Sequence, residues 1–306
     1  MAANSIIAKL FEVISPGRRQ LRDRQKAHLV GTVQSQERML AEYQALASLS
    51  SPTTREVCLG HFDFPAFRSE IESQRARINW ENANRQIKKF HLPEMAGGVN
   101  PGDQRLLYHL VEFLNPTNVL EIGTHIGSST IHIATAMVRH LKPDSSLTSV
   151  DILDVNCQDT KPWEKYGAKQ SPRKMVDEIG FSNSMLFKIG PSVDFLASDN
   201  KKYDFIFLDG DHSASSVYRE IPLALPRLTA GGVILLHDYF PNLKPLWSGD
   251  TNSALMHADV IPGVYLAVQR LINEGLPIMV TPFGELPWPT KLGSNVTSLA
   301  LISAVE

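Results

Sequence analysis

The chain has 306 residues, of which 43% are apolar and 20% charged, with 30 Lys+Arg against 32 Asp+Glu for a net charge of −2. That composition excludes a disordered chain, a collagen-like repeat and a small disulfide scaffold, and two cysteines, Cys58 and Cys157, are too few for a cysteine-built zinc site. Residues 1–100 carry a net +4 and the remainder −6, and neither shows the basic stripe of a nucleic-acid binder. The sequence contains no run of about 18 apolar residues, so no spanning helix is expected. The first ten residues lack the order of a signal peptide, and a cytoplasmic setting is expected. Lys9, Arg18, Arg19, Arg22, Arg24 and Lys26 lie near Ile6, Ile7, Leu10 and Phe11. They read as a solvated basic face or as a membrane-surface or partner-binding element.

The first part of the chain has helical texture. Leu29, Val33, Met39, Leu40, Tyr43, Leu46 and Leu49 recur at helical spacing within Leu21–Leu49, and Ser50-Ser51-Pro52 ends the pattern. A polar helix is expected from Pro65 to about Phe90. Pro93–Gly102, with Gly97 and Gly98, reads as a linker or active-site loop. Asp103 is expected to cap a helix carrying Leu106, Leu107, Leu110, Val111 and Leu114, ending near Asn115-Pro116.

After residue 102 helix and strand alternate. Strands are expected at Asn118–Ile122, Ser146–Val150, Met185–Ile189, Tyr203–Leu208, Val233–Leu236, Pro277–Thr281 and Ser298–Ser303. Helices are expected at Ser128–Leu141, Pro172–Ile179, Ala214–Leu228 and Gly263–Asn273. Such alternation predicts an α/β fold, an open and mostly parallel sheet covered on both faces, with ligands beyond the carboxyl ends of its strands.

The strand ends hold the chemistry. The first runs into Glu121-Ile-Gly-Thr-His-Ile-Gly-Ser-Ser-Thr130, where Gly123 and Gly127 permit a tight turn and Ser128 or Ser129 is expected to cap the next helix. The pyrophosphate fingerprint Gly-x-Gly-x-x-Gly is absent; an acidic residue before the glycines suits a ligand with a cationic amino-acid end. Asp151 ends the second strand, where a carboxylate commonly accepts both ribose hydroxyls. Gly190-Pro-Ser192 ends the third as a wall for an adenine ring. Asp209-Gly-Asp-His212 and His237-Asp238 end the fourth and fifth, and adjacent parallel strands bring both to one rim. So many polar groups at one edge need partners: each other, a ligand or a metal.

Val119–Ser129, Phe205–Ser213 and Leu228–Tyr239 together resemble class I S-adenosylmethionine-dependent methyltransferases, in particular small-molecule O-methyltransferases with Asp-Gly-Asp-His after strand four, such as macrolide-sugar O-methyltransferases. The resemblance covers about residues 100–306. It implies a Rossmann-like seven-stranded sheet with an antiparallel last strand and a transferase domain at 101–306; residues 1–100 lie outside the resemblance and read, from their own helical texture, as an extension serving as a substrate lid or for homo-oligomer contacts. It places S-adenosylmethionine against Glu121, Gly123, Thr124, Gly127, Ser128, Ser129, Asp151, Gly190, Ser192 and Asp209. It implies His212 as base with His237 as second choice, and Asp209, His237 and Asp238 as ligands of Mg²⁺ or another divalent metal. His237 departs from the family, which has a carboxylate there. Imidazole suits a transition metal, or no metal, better than magnesium. The acceptor is expected to be a small-molecule hydroxyl of a sugar or secondary metabolite, with Asn242–Ile261, containing Trp247, Asp250, Asn252, His257 and Asp259, as a binding loop. A nucleotide-cofactor oxidoreductase and a non-catalytic cofactor-binding scaffold are the competing readings.

Overall fold

The computed structural model describes residues 36–52, 59–93, 99–246, 260–291 and 293–304. The basic cluster near the start of the chain, Cys58, Gly97-Gly98 and the candidate loop side chains from Trp247 to Asp259 lie outside the described residues. A first helix, α1, spans residues 36–47. Among the described residues the further α-helices are α2 (Phe64–Ile71), α3 (Gln74–Ile87), α4 (Pro101–Leu114), α5 (Ser128–Val138), α6 (Pro172–Glu178), α7 (Ser192–Ser198), α8 (Ala214–Ala224) and α9 (Pro262–Asn273). Seven strands, β1 (Asn118–Ile122), β2 (Ser146–Asp151), β3 (Met185–Ile189), β4 (Tyr203–Leu208), β5 (Leu228–Leu236), β6 (Ile278–Pro282) and β7 (Ala300–Ala304), form one sheet in the order β3-β2-β1-β4-β5-β7-β6. The first five are parallel; β7 runs antiparallel between β5 and β6.

Alternation along the strands divides the core. Val119, Phe205, Phe207, Val233 and Leu235 face α2 through α6, while Leu120, Ile122, Ile206, Leu208, Ile234 and Leu236 face α7, α8 and α9. Phe67 and Ile71 of α2 and Ala83 and Ile87 of α3 belong to the first of these clusters. Leu59 bridges Gly232, and Ala304 N donates to Gly60 O, so the segment before α2 is stitched to the sheet.

Several local expectations are corrected. The single helix expected over Pro65–Phe90 breaks at Glu72-Ser73, because Ser73 accepts from Ala76 N and starts α3 afresh. Asp103 does not cap α4; Asn100 does, accepting from Gly102 N and Asp103 N, with Pro101 at the first helical position. Neither Ser128 nor Ser129 caps α5: Gly127, at φ +79°, occupies the cap position without a side-chain bond. The expected helix Ala214–Leu228 stops at Ala224, and Leu228 opens β5.

Candidate active site

The turn after β1 is built on close backbone approach. Gly123 has φ +97°, and a Cβ there would stand 2.1 Å from the Asp209 carbonyl oxygen, so only glycine lets β1 and β4 end side by side. Asp151, at the end of β2, ties this turn down: its Oδ2 accepts from Thr124 N (3.1 Å) and His125 N (2.9 Å), and its Oδ1 from Leu153 N (2.9 Å). Glu121 does not reach the cavity. It is fully buried beneath the turn, accepting from Ser129 Oγ (2.5 Å), Thr130 Oγ1 (2.6 Å) and Ser149 Oγ (2.5 Å). Burial pushes its carboxyl up to about 7, against the pull of those three hydroxyls. Thr124 Oγ1 is paired with Ser149 Oγ (2.6 Å).

A cavity of about 490 Å³ opens at the carboxyl ends of β1, β2, β3 and β4, lined by Gly123, Asp151, Gly190, Ser192, Asp209 and Arg219 among others. A small recess beside it is walled by Gly123, Thr124, His125, Ser128, Ser129 and Asp209. Gly127 lies behind it, against Pro172. Ser192 Oγ donates to Glu220, a nearly fully buried carboxyl that burial raises to about 7.

Parallel pairing sets Leu208 of β4 opposite Leu236 of β5, so Asp209 and His237 emerge side by side. His237 Nδ1 lies 2.8 Å from Asp209 Oδ1 and 3.6 Å from Asp238 Oδ1. His212 Nε2 lies 3.7 Å from Asp209 Oδ1 and 3.6 Å from Asp238 Oδ2. His237 is buried, whereas the His212 side chain is 28% exposed and so reachable. Burial opposes a proton on His237, but the Asp209 and Asp238 carboxylates outweigh it and hold the imidazole well above its ordinary value. Asp238 adopts φ +52°, and Ser298 Oγ donates to its Oδ1 at 3.4 Å. The His212 loop is fixed from two sides. Glu42 of α1 accepts from Ala214 N (2.7 Å), and Gly263 of α9 comes so close that a Cβ there would meet the His212 carbonyl oxygen at 2.1 Å.

Asp209, His212 and His237 each offer one donor atom, all within 4.8 Å of one another. Both ring nitrogens of His237 face carboxylates at ion-pair distance, Nδ1 toward Asp209 and Nε2 toward Asp103, without a well-directed hydrogen bond among the described residues. An imidazole nitrogen beside a carboxylate, with His212 close by, suits a divalent transition ion; magnesium prefers an all-oxygen set. Asp238 stands outside that trio. The sequence reading missed Asp103 as a site residue: its buried Oδ2 lies 3.5 Å from His237 Nε2. It also missed Glu220 beneath Ser192. An acid on the apolar face of a helix, in line with Leu106, Leu107 and Leu110, is the signal that marks Asp103.

The strand order, with β7 inserted antiparallel, and the glycine turn at the end of β1 are those of the class I S-adenosylmethionine-dependent methyltransferase fold. Residues 120–239 match a family model described as a methyltransferase domain. A rhamnosyl O-methyltransferase of Mycobacterium leprae is 30% identical over 133 residues, 44% of this chain and 53% of the relative. Caffeoyl-CoA O-methyltransferase 2 of Petunia hybrida is 29% identical over 136 residues, 42% and 49% of the two chains. The chain thus spans about half the length of these curated relatives. The solved structure of the O-methyltransferase TomG from Streptomyces achromogenes, involved in tomaymycin synthesis and in complex with S-adenosylmethionine, is similar at 17% identity and a TM-score of 0.47. That match covers 80% of this chain and 100% of the other.

Proposed function

We propose that the protein is an S-adenosylmethionine-dependent O-methyltransferase acting on a hydroxyl of a small molecule, a sugar or secondary metabolite, with His212 as general base. One observation carries the reading: Asp209 both lines the 490 Å³ cavity and belongs to the carboxylate–imidazole cluster, so a ligand filling the cavity ends beside His212. Asp151 would accept the ribose hydroxyls, Gly190 and Ser192 would flank the adenine, and the Gly123–Ser129 turn would hold the amino-acid end. Glu121 serves that turn from beneath. Aspartates and serines of this kind, with no phosphate cradle, favour the sulfonium cofactor over a dinucleotide.

Methyl transfer is a direct displacement. The acceptor oxygen forms a bond to the methyl carbon as the carbon–sulfur bond breaks, the sulfonium becomes a thioether, and the hydroxyl proton passes to His212 Nε2. An alcohol is far from ionised at neutral pH, and histidine is the side chain whose ordinary pKa suits that task. His237 is too deeply buried to meet the acceptor. A divalent ion held by Asp209 and His237, with His212 and Asp238 flanking, would polarise the acceptor oxygen when bound. Residues 1–100 would supply an acceptor lid or contacts with a second copy, and residues 101–306 the transferase. The low cysteine count fits a reducing, cytoplasmic setting.

Calorimetric titration with S-adenosylhomocysteine tests the reading. Binding, together with a fall in turnover in His212→Ala at unchanged cofactor affinity, is expected. A folded protein that binds NAD and not S-adenosylhomocysteine would sink it.

A further inference from the structure

We propose that Asp103 is a positioning residue. It fixes the His237 ring so that Nδ1 is presented, together with Asp209, to a divalent transition-metal ion. The inference rests on the divalent-ion reading of the site given above and extends it to a residue outside the matched stretch 120–239.

Asp103 has no exposed surface, and a buried carboxylate is costly unless something pairs with it. Helix α4 does not need it, since Asn100 already accepts from the first two free N–H groups. Asn100 Nδ2 donates to Asp103 Oδ2 at 2.7 Å, and Ser298 Oγ approaches the same oxygen at 3.4 Å, while Oδ1 has no partner. Those neighbours are neutral. Among the described residues, the one group within ion-pair distance that can compensate the charge is His237, with Nε2 3.5 Å away. On the other side of the ring Nδ1 faces Asp209 Oδ1 at 2.8 Å, inside the set of donor atoms shared with His212. A ring with one nitrogen toward a carboxylate and the other among donor atoms is the carboxylate–histidine–metal arrangement, in which the outer acid selects which nitrogen binds. Asn100 and Ser298 grip Asp103 from two different elements, the start of α4 and the approach to β7, so its own placement is fixed as well. Nothing in this scheme is oxidised or reduced. It predicts a site that prefers Co²⁺ or Zn²⁺ to Mg²⁺.

The test uses metal-stripped full-length protein titrated separately with Co²⁺ and Mg²⁺, by calorimetry and, for cobalt, by its visible absorption. One Co²⁺ is expected to bind more tightly than Mg²⁺. Asp103→Asn should weaken Co²⁺ about tenfold to a hundredfold and shift its absorption bands. Should Asp103→Asn fail to fold, Asn100→Ser keeps a cap on α4, removes the shorter of the two contacts that hold Asp103, and should weaken Co²⁺ severalfold. Unchanged Co²⁺ affinity in the variant that folds, or Mg²⁺ bound as tightly as Co²⁺, overturns the proposal. S-adenosylhomocysteine titrated into the same samples reports separately on methyl transfer: its failure to bind would remove that reading and leave the metal result standing.

Discussion

Replacing Gly263 by alanine sets two effects against each other. Alanine is the better helix former by about 0.8–1 kcal/mol, which favours the variant, since Gly263 sits in the first turn of α9. The new methyl group, however, would lie 2.1 Å from the His212 carbonyl oxygen and 2.6 Å from Ala214 N. Both are backbone atoms that no rotamer change can move. Reaching an ordinary carbon–oxygen contact of roughly 3.3 Å means displacing α9 or the His212 loop by roughly 1 Å. Overpacking of this kind costs about 1–3 kcal/mol, so the clash outweighs the propensity. The net expectation is a loss of about 1–2 kcal/mol, seen as a fall of a few degrees in Tm. Because the displaced group carries the proposed base, kcat should fall further than stability implies, by up to about a hundredfold. Affinity for S-adenosylhomocysteine should hold, since Gly263 is no part of the cavity lining. A Gly263→Ala protein that melts higher than the parent with unchanged kcat would show that the close approach is not what fixes His212.

Glu121 has a folded-state pKa of about 7, above its unfolded value. Its contribution is therefore full below about pH 4.5 and is lost as pH rises through 7, roughly 3 kcal/mol in all. Glu121→Gln should flatten the stability curve between pH 5 and 8 in denaturant titrations; an unaltered curve would contradict the burial argument. His132 moves the other way. Burial pushes it down to about 4, so its contribution is full above about 6.5 and disappears as pH falls toward 4. His132→Gln should reduce acid sensitivity in that window. Arg105 lies 4.1 Å over the Trp288 ring, and Arg105→Ala should cost about 0.5–2 kcal/mol in chemical denaturation, with little effect on cofactor affinity.

The strands were legible because a buried strand is a short apolar run with few alternatives. β1, β3 and β4 occupy the expected spans to the residue. β5 begins five residues earlier than expected, since Ala230-Gly-Gly232 reads as a turn while the sheet accommodates it through a register shift opposite Tyr203 and Phe205. Helix α7 went unread because it is as short as α6 but lacks the serine cap followed by proline that marks where α6 begins. The rim cluster of Asp209, His212, His237 and Asp238 was legible from parallel-strand logic alone. Asp103 was not, because an acid near a helix start reads as a cap, and the competing cap Asn100 wins only once Pro101 takes the first helical position. Glu121 was placed at the ligand for a similar reason: its position in the turn is readable, but the three hydroxyls that claim its oxygens come from β2 and α5.

The inserted strand β7 has a consequence for the order in which the protein can be assembled. β5 carries His237 at its end, yet its outer edge is paired by residues 300–302, and β6 joins the sheet only through β7. Until those residues have left the ribosome, β5 offers an open hydrogen-bonding edge, and Ser298 cannot yet reach Asp103 and Asp238. The rim that carries His237 therefore closes only after residues 298–302 have been made. The nascent chain carries a central strand with one edge open for about sixty residues of elongation beyond β5, the stretch in which chaperone capture or aggregation would act.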